Sequence, residues 1–402
     1  MKKKLALLLY RYFPYGGLQK DFLGISKELV TRGHIVKVYT RSWEGDIPEN
    51  IDLVEIGEKG ISKELATRGH IVKVYTRSWE GDIPEYIDVV QIGEKGLTNY
   101  SKNKNYVSEA MKSLKNFMPD IVFGFNKMPG LDLYFAADTC FAKQSLTKNS
   151  MQRFTRRFRQ SMAFEKEVFS VNSKSKILVL NEKQSQDFQD FYSTQHERLT
   201  IIPPGIEKNW IEQESMNIHE LLNIPHYEKI ILFVGSDFSR KGLDRAIFGM
   251  SYLSEHNISA TLVVIGDDSK EPYKKIIKEH SLENKVIFLG PRKDVASFMK
   301  SSHLLVHPAR EEAAGNIIIE ALVSGLPSLI SAEVGFSGEV VKYESGIVVT
   351  GNFTQEKFNT LLEENISDVK LSSVKERIKP LANDNYFYSR FTFIADYIER
   401  VF

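Results

Sequence analysis

KIILFVGSDFSRKG, residues 229–242, is the stretch whose reading decides the fold. Ile230 to Val234 are apolar without polar alternation, which is the pattern of a strand covered on both faces rather than one facing water. Gly235 then breaks the run, and after Gly242 an amphipathic pattern of helical period begins. A buried strand, a glycine-bounded turn and a helix in that order form one unit of a parallel α/β sheet.

Reading outward, the same kind of short apolar run recurs at 261–266, 285–289, 304–308 and 327–331, with helical patterns between. Before it lie runs at 4–10, 121–124, 176–180 and 199–202, with a helical pattern over about 150–170. Pro203, Pro204 and Gly205 separate the two series. The chain therefore reads as α/β, with two doubly wound domains hinged near 203–206: residues 1–205, residues 206–384, and a C-terminal segment 385–402 expected to return to the first domain. A length of 402 residues suits two domains rather than one core.

Bulk composition narrows the classes. Hydrophobic residues at 42% and charged residues at 26% fit a globular protein, and no apolar run approaches the roughly 18 residues of a membrane span. The basic start MKKK resembles a signal peptide, but Arg11 interrupts the apolar run and no small-residue cleavage site follows. A single cysteine, Cys140, excludes an internal disulfide, and no Cys/His cluster has metal-ligand spacing, so a cytosolic, metal-free protein is expected. A net charge of +1 gives no global pull toward nucleic acid.

Residues 25–60 recur at 61–96 with four changes, Val30/Ala66, Asn50/Tyr86, Leu53/Val89 and Glu55/Gln91. Two nearly identical copies indicate a tandem duplication rather than a solenoid. Only the first copy follows a full-length helical pattern, beginning near Leu18, so the first is expected in the core and the second as a surface excursion.

Open parallel sheets bind ligands beyond the carboxyl ends of their strands, and three loops there carry chemistry. Gly16 and Gly17 precede a helix whose N-terminus would suit a phosphate, although a plain tight turn is equally compatible. Asp21, one turn on, reads either as a first-turn acid or as a base facing the ligand. Arg240 and Lys241 sit where two cations would grip a diphosphate and stabilise charge growing on a departing group. Glu312 and Glu320, eight residues apart, lie on one helical face or flank a helix start, with the small residues Ala313, Ala314 and Gly315 and then Asn316 between them. His303 and His307 read as packed strand residues.

These loops, in this order, resemble the retaining glycosyltransferases of family 4, and the segments YRYFPYGGLQKDF, GFNKMPGLDLYFAADTC, VGSDFSRKG and HPAREEAAGNIIIEA resemble the lipopolysaccharide-core glucosyltransferases within it. The resemblance implies a GT-B fold, two Rossmann-like domains facing a cleft, and transfer of glucose from UDP-glucose to an inner-core heptose without a metal. It further implies that Gly16 and Gly17 meet the diphosphate, Arg240 and Lys241 neutralise it, Glu312 contacts the sugar and Glu320 the ribose. Ala314, Gly315 and Asn316 would offer backbone to the phosphates, Arg292 would lie by the uracil, and Asp21 and Asp132 would face acceptor and sugar. The stretch Asn126–Asp132 lacks the histidine that many members carry near the sugar. Arg153, Arg156, Arg157 and Arg159, interleaved with Phe154 and Phe158, would face an anionic membrane, making the protein peripheral on the inner membrane. A UDP-sugar 2-epimerase and a two-lobed binding protein are the competing readings.

Overall fold

The computed structural model describes residues 3–9, 17–40, 52–55, 72–76, 87–91, 99–146, 153–206 and 210–402. The chain divides into two compact units, Met1–Ile202 with Arg390–Phe402, and Pro203–Ser389.

The first unit contains β1 (Lys4–Leu9), β2 (Ile35–Thr40), β3 (Asp52–Glu55), β4 (Val72–Thr76), β5 (Ile87–Gln91), β6 (Ile121–Gly124), β7 (Leu133–Ala136), β8 (Lys176–Val179) and β9 (Leu199–Ile201). Its main sheet runs β3-β2-β1-β6-β7-β8-β9, and every pairing is parallel. The strand order reverses between β1 and β6, which is where such a sheet opens a ligand crevice. The last helix, Arg390–Val401, belongs to this unit. Its Arg390 is fully buried and donates to Asp21, while Asp396 and Glu399 receive Arg32 and Glu399 also meets His34 at 3.0 Å. Gly24 makes the close approach possible, because a Cβ there would stand 2.2 Å from the Phe391 ring.

The two copies of the duplicated segment have different fates. The first supplies β2 and β3 to the main sheet, whereas the second forms a separate two-stranded sheet, β4-β5. The pairing is nevertheless the same in both: Lys37 faces Asp52 as Lys73 faces Asp88, and Thr40 faces Glu55 as Thr76 faces Gln91. The local sequence thus specifies the strand pair, and the helix Gly17–Thr31 before β2 accompanies the copy that is joined to β1. Deleting residues 61–96 is expected to leave the sheet order, solubility and melting temperature unchanged. Loss of soluble protein on that deletion would show that the second copy is structural.

The second unit contains β10 (Lys229–Val234), β11 (Ala260–Ile265), β12 (Val286–Gly290), β13 (Leu304–His307), β14 (Ser328–Ser331) and β15 (Gly346–Val349). They form a parallel sheet in the order β12-β11-β10-β13-β14-β15, the dinucleotide-fold order, which reverses between β10 and β13. The unbroken apolar run of β10 now has its reason. Ile230, Leu232 and Val234 pack into one core with Ile317, Ile318 and Leu322 of the helix Asn316–Val323, and Ile231 and Phe233 pack into another with Leu243, Ile247 and Met250 of the helix Leu243–Glu255. Each such buried side chain contributes about 1.5–3 kcal/mol, so both faces must be apolar.

Candidate active site

The loop leaving β10 is shaped by two glycines and an aspartate. Asp237 adopts a left-handed conformation, φ 60°, and caps the short helix Phe238–Lys241 by accepting from the Arg240 N–H. Gly242, φ +79°, follows, and a Cβ at that position would stand 2.2 Å from the Pro308 carbonyl oxygen. Gly235, φ +138°, leaves room for the Lys241 side chain to lie across it, since a Cβ there would come within 2.6 Å of the Lys241 Nζ. Arg240 and Lys241 are therefore directed back over the end of β10, beside the loop that leaves β13.

That second loop carries Glu312. Its Oε2 lies 3.1 Å from Arg240 Nη1, 3.4 Å from Lys241 Nζ and 3.8 Å from His307 Nε2. Arg240 also donates to the Glu311 carbonyl at 2.8 Å and to Asp237 at 2.8 Å. Burial opposes ionisation of Glu312, but the nearby His307 ring and the charges of Lys241 and Arg240 outweigh it and hold the carboxyl well below the usual carboxylate range. Glu312 Oε1 has no hydrogen bond or ion pair among the described residues. The backbone of Glu312 is pinned as well, bridging to Val334 and donating to Glu333 at 3.3 Å.

Gly315, φ +79°, turns the chain into the helix Asn316–Val323, whose start has no side-chain cap. Ala314 is held by the Phe336 N–H at 2.8 Å. Glu320 lies within this helix and Glu312 before it, so the two carboxylates flank the helix start and do not share a helical face. Arg292 stands in the loop after β12, also at the carboxyl edge, with its guanidinium on Asp294 at 2.6 Å and over the Phe298 ring at 4.8 Å.

Two expectations in the first unit need correction. Asp21 does not face outward as a base: it is 4% exposed, and Arg390 occupies its carboxylate. Its position in the first turns of the helix Gly17–Thr31 carries it under the C-terminal helix, where an ion pair satisfies it. Asp132 is exposed and precedes β7, so it lies at the amino edge of the parallel sheet, opposite the ligand edge; its Oδ2 accepts from the Val122 N–H at 2.8 Å. Gly17 begins the first helix, and Gly16 lies outside the described residues.

The arginine-rich helix begins at Arg156, with Thr155 as its cap, and runs to Phe169. Arg153, Arg156, Arg157 and Arg159 are all exposed. Phe154 and Phe158 do not share a helical face: Phe158 turns inward against Phe141 at 5.3 Å, while Phe154 precedes the cap and is 72% exposed. Lys143 is already paired with Asp187, and Met151 and Lys148 lie outside the described residues.

His307 is the residue that sequence reasoning undervalued. It is a packed strand residue, fully buried, yet as the last residue of β13 it reaches Glu312, and neither ring nitrogen has a hydrogen-bond partner among the described residues. Asn316 Oδ1, at the first residue of the helix Asn316–Val323, and Glu333 Oε2, in the loop after β14, are likewise buried without a partner among the described residues. Unsatisfied polar atoms gathered at one edge mark a place built for a polar ligand.

Comparisons with known proteins give the family of the chain. Residues 54–210 match the family described as Glycosyltransferase Family 4, and residues 215–379 match Glycosyl transferases group 1. The lipopolysaccharide glucosyltransferase WaaG of Escherichia coli (strain K12) is 36% identical over 375 residues, 91% of this chain and 90% of that protein. A crystal structure of WaaG, a glycosyltransferase involved in lipopolysaccharide biosynthesis, has a TM-score of 0.81 at 34% identity and covers 98% of this chain and 100% of its own. The structure of Anabaena Alr3699/HepE in complex with UDP and glucose, at 16% identity and a TM-score of 0.67 over 99% of this chain and 100% of that one, shares the fold. Two Rossmann-like parallel sheets, and a relative matched at 36% identity over nine-tenths of the chain, establish that the protein belongs to glycosyltransferase family 4 and has the GT-B fold.

Proposed function

We propose that this hexosyltransferase moves glucose from UDP-glucose to an inner-core heptose of lipopolysaccharide, with retention of configuration and without a metal. The observation that carries the reading is the gathering of Arg240, Lys241 and Glu312 at the switch point of the second sheet. Breaking the glycosyl–phosphate bond adds one negative charge to a diphosphate that already carries two, and two directed cations offer the stabilisation that a metal supplies elsewhere. Backbone of Ala314, Gly315 and Asn316 at the uncapped helix start would assist, Glu320 would take the ribose and Arg292 the uracil side. Glu312, kept anionic, would accept hydrogen bonds from sugar hydroxyls through Oε1. Proton removal from the acceptor then falls to the departing phosphate oxygen on the same face, because Asp21 is occupied by Arg390.

Calorimetry with UDP and UDP-glucose in the presence of EDTA tests this. Binding that survives chelation and exceeds binding of ADP-glucose and GDP-mannose supports the reading. Binding that requires Mg²⁺, or no preference for uridine, contradicts it.

The acceptor is lipid-anchored, and the exposed Arg153, Arg156, Arg157 and Arg159 around exposed Phe154 suit an anionic leaflet. Each basic residue near such a surface contributes about 1 kcal/mol, enough for four to hold the protein reversibly. Among the described residues no helix is long and apolar enough to cross a membrane. Co-sedimentation with vesicles is expected to require anionic lipid, weaken in high salt and fall when the four arginines become Gln. Equal binding to neutral vesicles would remove the proposal.

A further inference from the structure

We infer that His307 is a positioning residue that holds Glu312 in place when a bound donor diphosphate draws Arg240 and Lys241 away. The inference rests on the reading of this site as a donor site. In the structure three nitrogens converge on the one oxygen Oε2, at 3.1 Å from Arg240, 3.4 Å from Lys241 and 3.8 Å from His307, and Oε1 takes part in none of these contacts. The first two belong to long, jointed side chains, and the charge they give a diphosphate is charge withdrawn from Glu312. Glu312 would then be a largely buried carboxylate short of partners, free to turn.

His307 differs in kind. It is the last residue of β13, fully buried, and its ring is stacked on Phe233 at 6.4 Å between centroids with 28° between planes. Neither Nδ1 nor Nε2 has a hydrogen-bond partner among the described residues, so a proton on Nε2 is withdrawn from no other bond. The charged groups facing the ring are Glu312, Lys241 and Arg240. Burial keeps the imidazole neutral, which leaves one N–H to donate and adds no third cation to compete for the diphosphate. A separation of 3.8 Å lies outside a hydrogen bond, and a movement below 1 Å closes it, as happens when an unliganded site tightens. In this arrangement Oε2 stays on His307 and Oε1 keeps its aim at the sugar hydroxyls.

The test uses the full-length protein with His307→Phe, which keeps the ring and its stacking, and His307→Gln, which restores a side-chain N–H. In His307→Phe, UDP affinity is expected to stay within about twofold while kcat falls roughly tenfold to a hundredfold, and His307→Gln is expected to recover part of that loss. A folded His307→Phe with kcat within twofold of the parent overturns the inference, as does a loss of UDP affinity parallel to the loss of kcat. Nitrogen-15 NMR of the histidine rings, with UDP as the added probe, decides the contact independently of turnover. The Nε2–H tautomer, with a shift that responds to UDP and to Glu312→Gln, supports it, and an Nδ1–H tautomer indifferent to both overturns it. Absence of transfer by the parent protein from every UDP-sugar would instead count against the proposed function, with the NMR result still deciding the His307–Glu312 contact.

Discussion

Alanine in place of Lys241 is expected to lower kcat/KM for sugar transfer by about a hundredfold to a thousandfold, the loss associated with removing one preorganised donor from a developing anion. The Lys241 side chain is 15% exposed, lies across Gly235 and ends 3.4 Å from Glu312, so its charge is held in a partly dry, directed position. Nothing in the cores of the second unit rests on it, and the variant is expected to melt at the same temperature as the parent. Glu312→Ala is expected to lower transfer to a similar degree for a different reason. It frees Arg240 and Lys241 from their anionic partner, so UDP affinity is maintained or raised while kcat collapses. Steady-state kinetics and UDP calorimetry on both variants separate these outcomes. Near-parental turnover in both would remove the assignment of the donor site.

Gly242→Ala is expected to destabilise the second unit by about 2–4 kcal/mol in urea denaturation, combining a forced left-handed backbone with a backbone collision. At φ +79° the new Cβ would meet the Pro308 carbonyl oxygen at 2.2 Å, a backbone atom that has no flexible side chain's freedom to yield. The same contact is where the two functional loops are joined. The Arg310 N–H donates to the Arg240 carbonyl at 2.7 Å, and Arg245 reaches the Pro308 carbonyl at 2.9 Å. Separating the loops moves Arg240 and Lys241 away from Glu312, so activity is expected to fall with stability. A variant as stable as the parent would contradict the account of how the loops are held.

The doubly wound architecture was legible because fully covered strands have a plain signature. Runs such as 121–124 and 229–234 have the observed bounds, others, including 176–180 and 304–308, differ by one residue at an end, and 261–266 and 285–289 are displaced by one residue at both ends. β7 and β15 were not anticipated. Each has four residues and directly follows Asp132 or begins at Gly346, so it is too short and too closely bounded by turn residues to stand out from a loop. The donor loops were legible because each lies next to its own strand. Their meeting was not, since Arg240 and Glu312 are 72 positions apart and are joined by the placement of β13 beside β10. The pairing of Asp21 was missed for a related reason: its partner, Arg390, is 369 positions away, and the expected return of the C-terminal segment to the first domain does not say which residue it covers. Asp132 was given a role toward acceptor and sugar only by the resemblance, and because β7 was not recognised its position before a strand start was invisible. His307 looked like any apolar-strand residue, and only its place at the strand end, beside the point where the order reverses, could have distinguished it.

The most direct test of the central claim is to incubate the purified protein, in EDTA, with a panel of UDP-sugars and heptose-terminated lipopolysaccharide, and to follow the lipid product by mass spectrometry and its anomeric configuration by NMR. The account predicts one added hexose from UDP-glucose, in the α configuration of the donor, with transfer sharply reduced in Lys241→Ala and Glu312→Ala. An inverted linkage, transfer only in the presence of a divalent metal, or a UDP-sugar altered without any acceptor would contradict it.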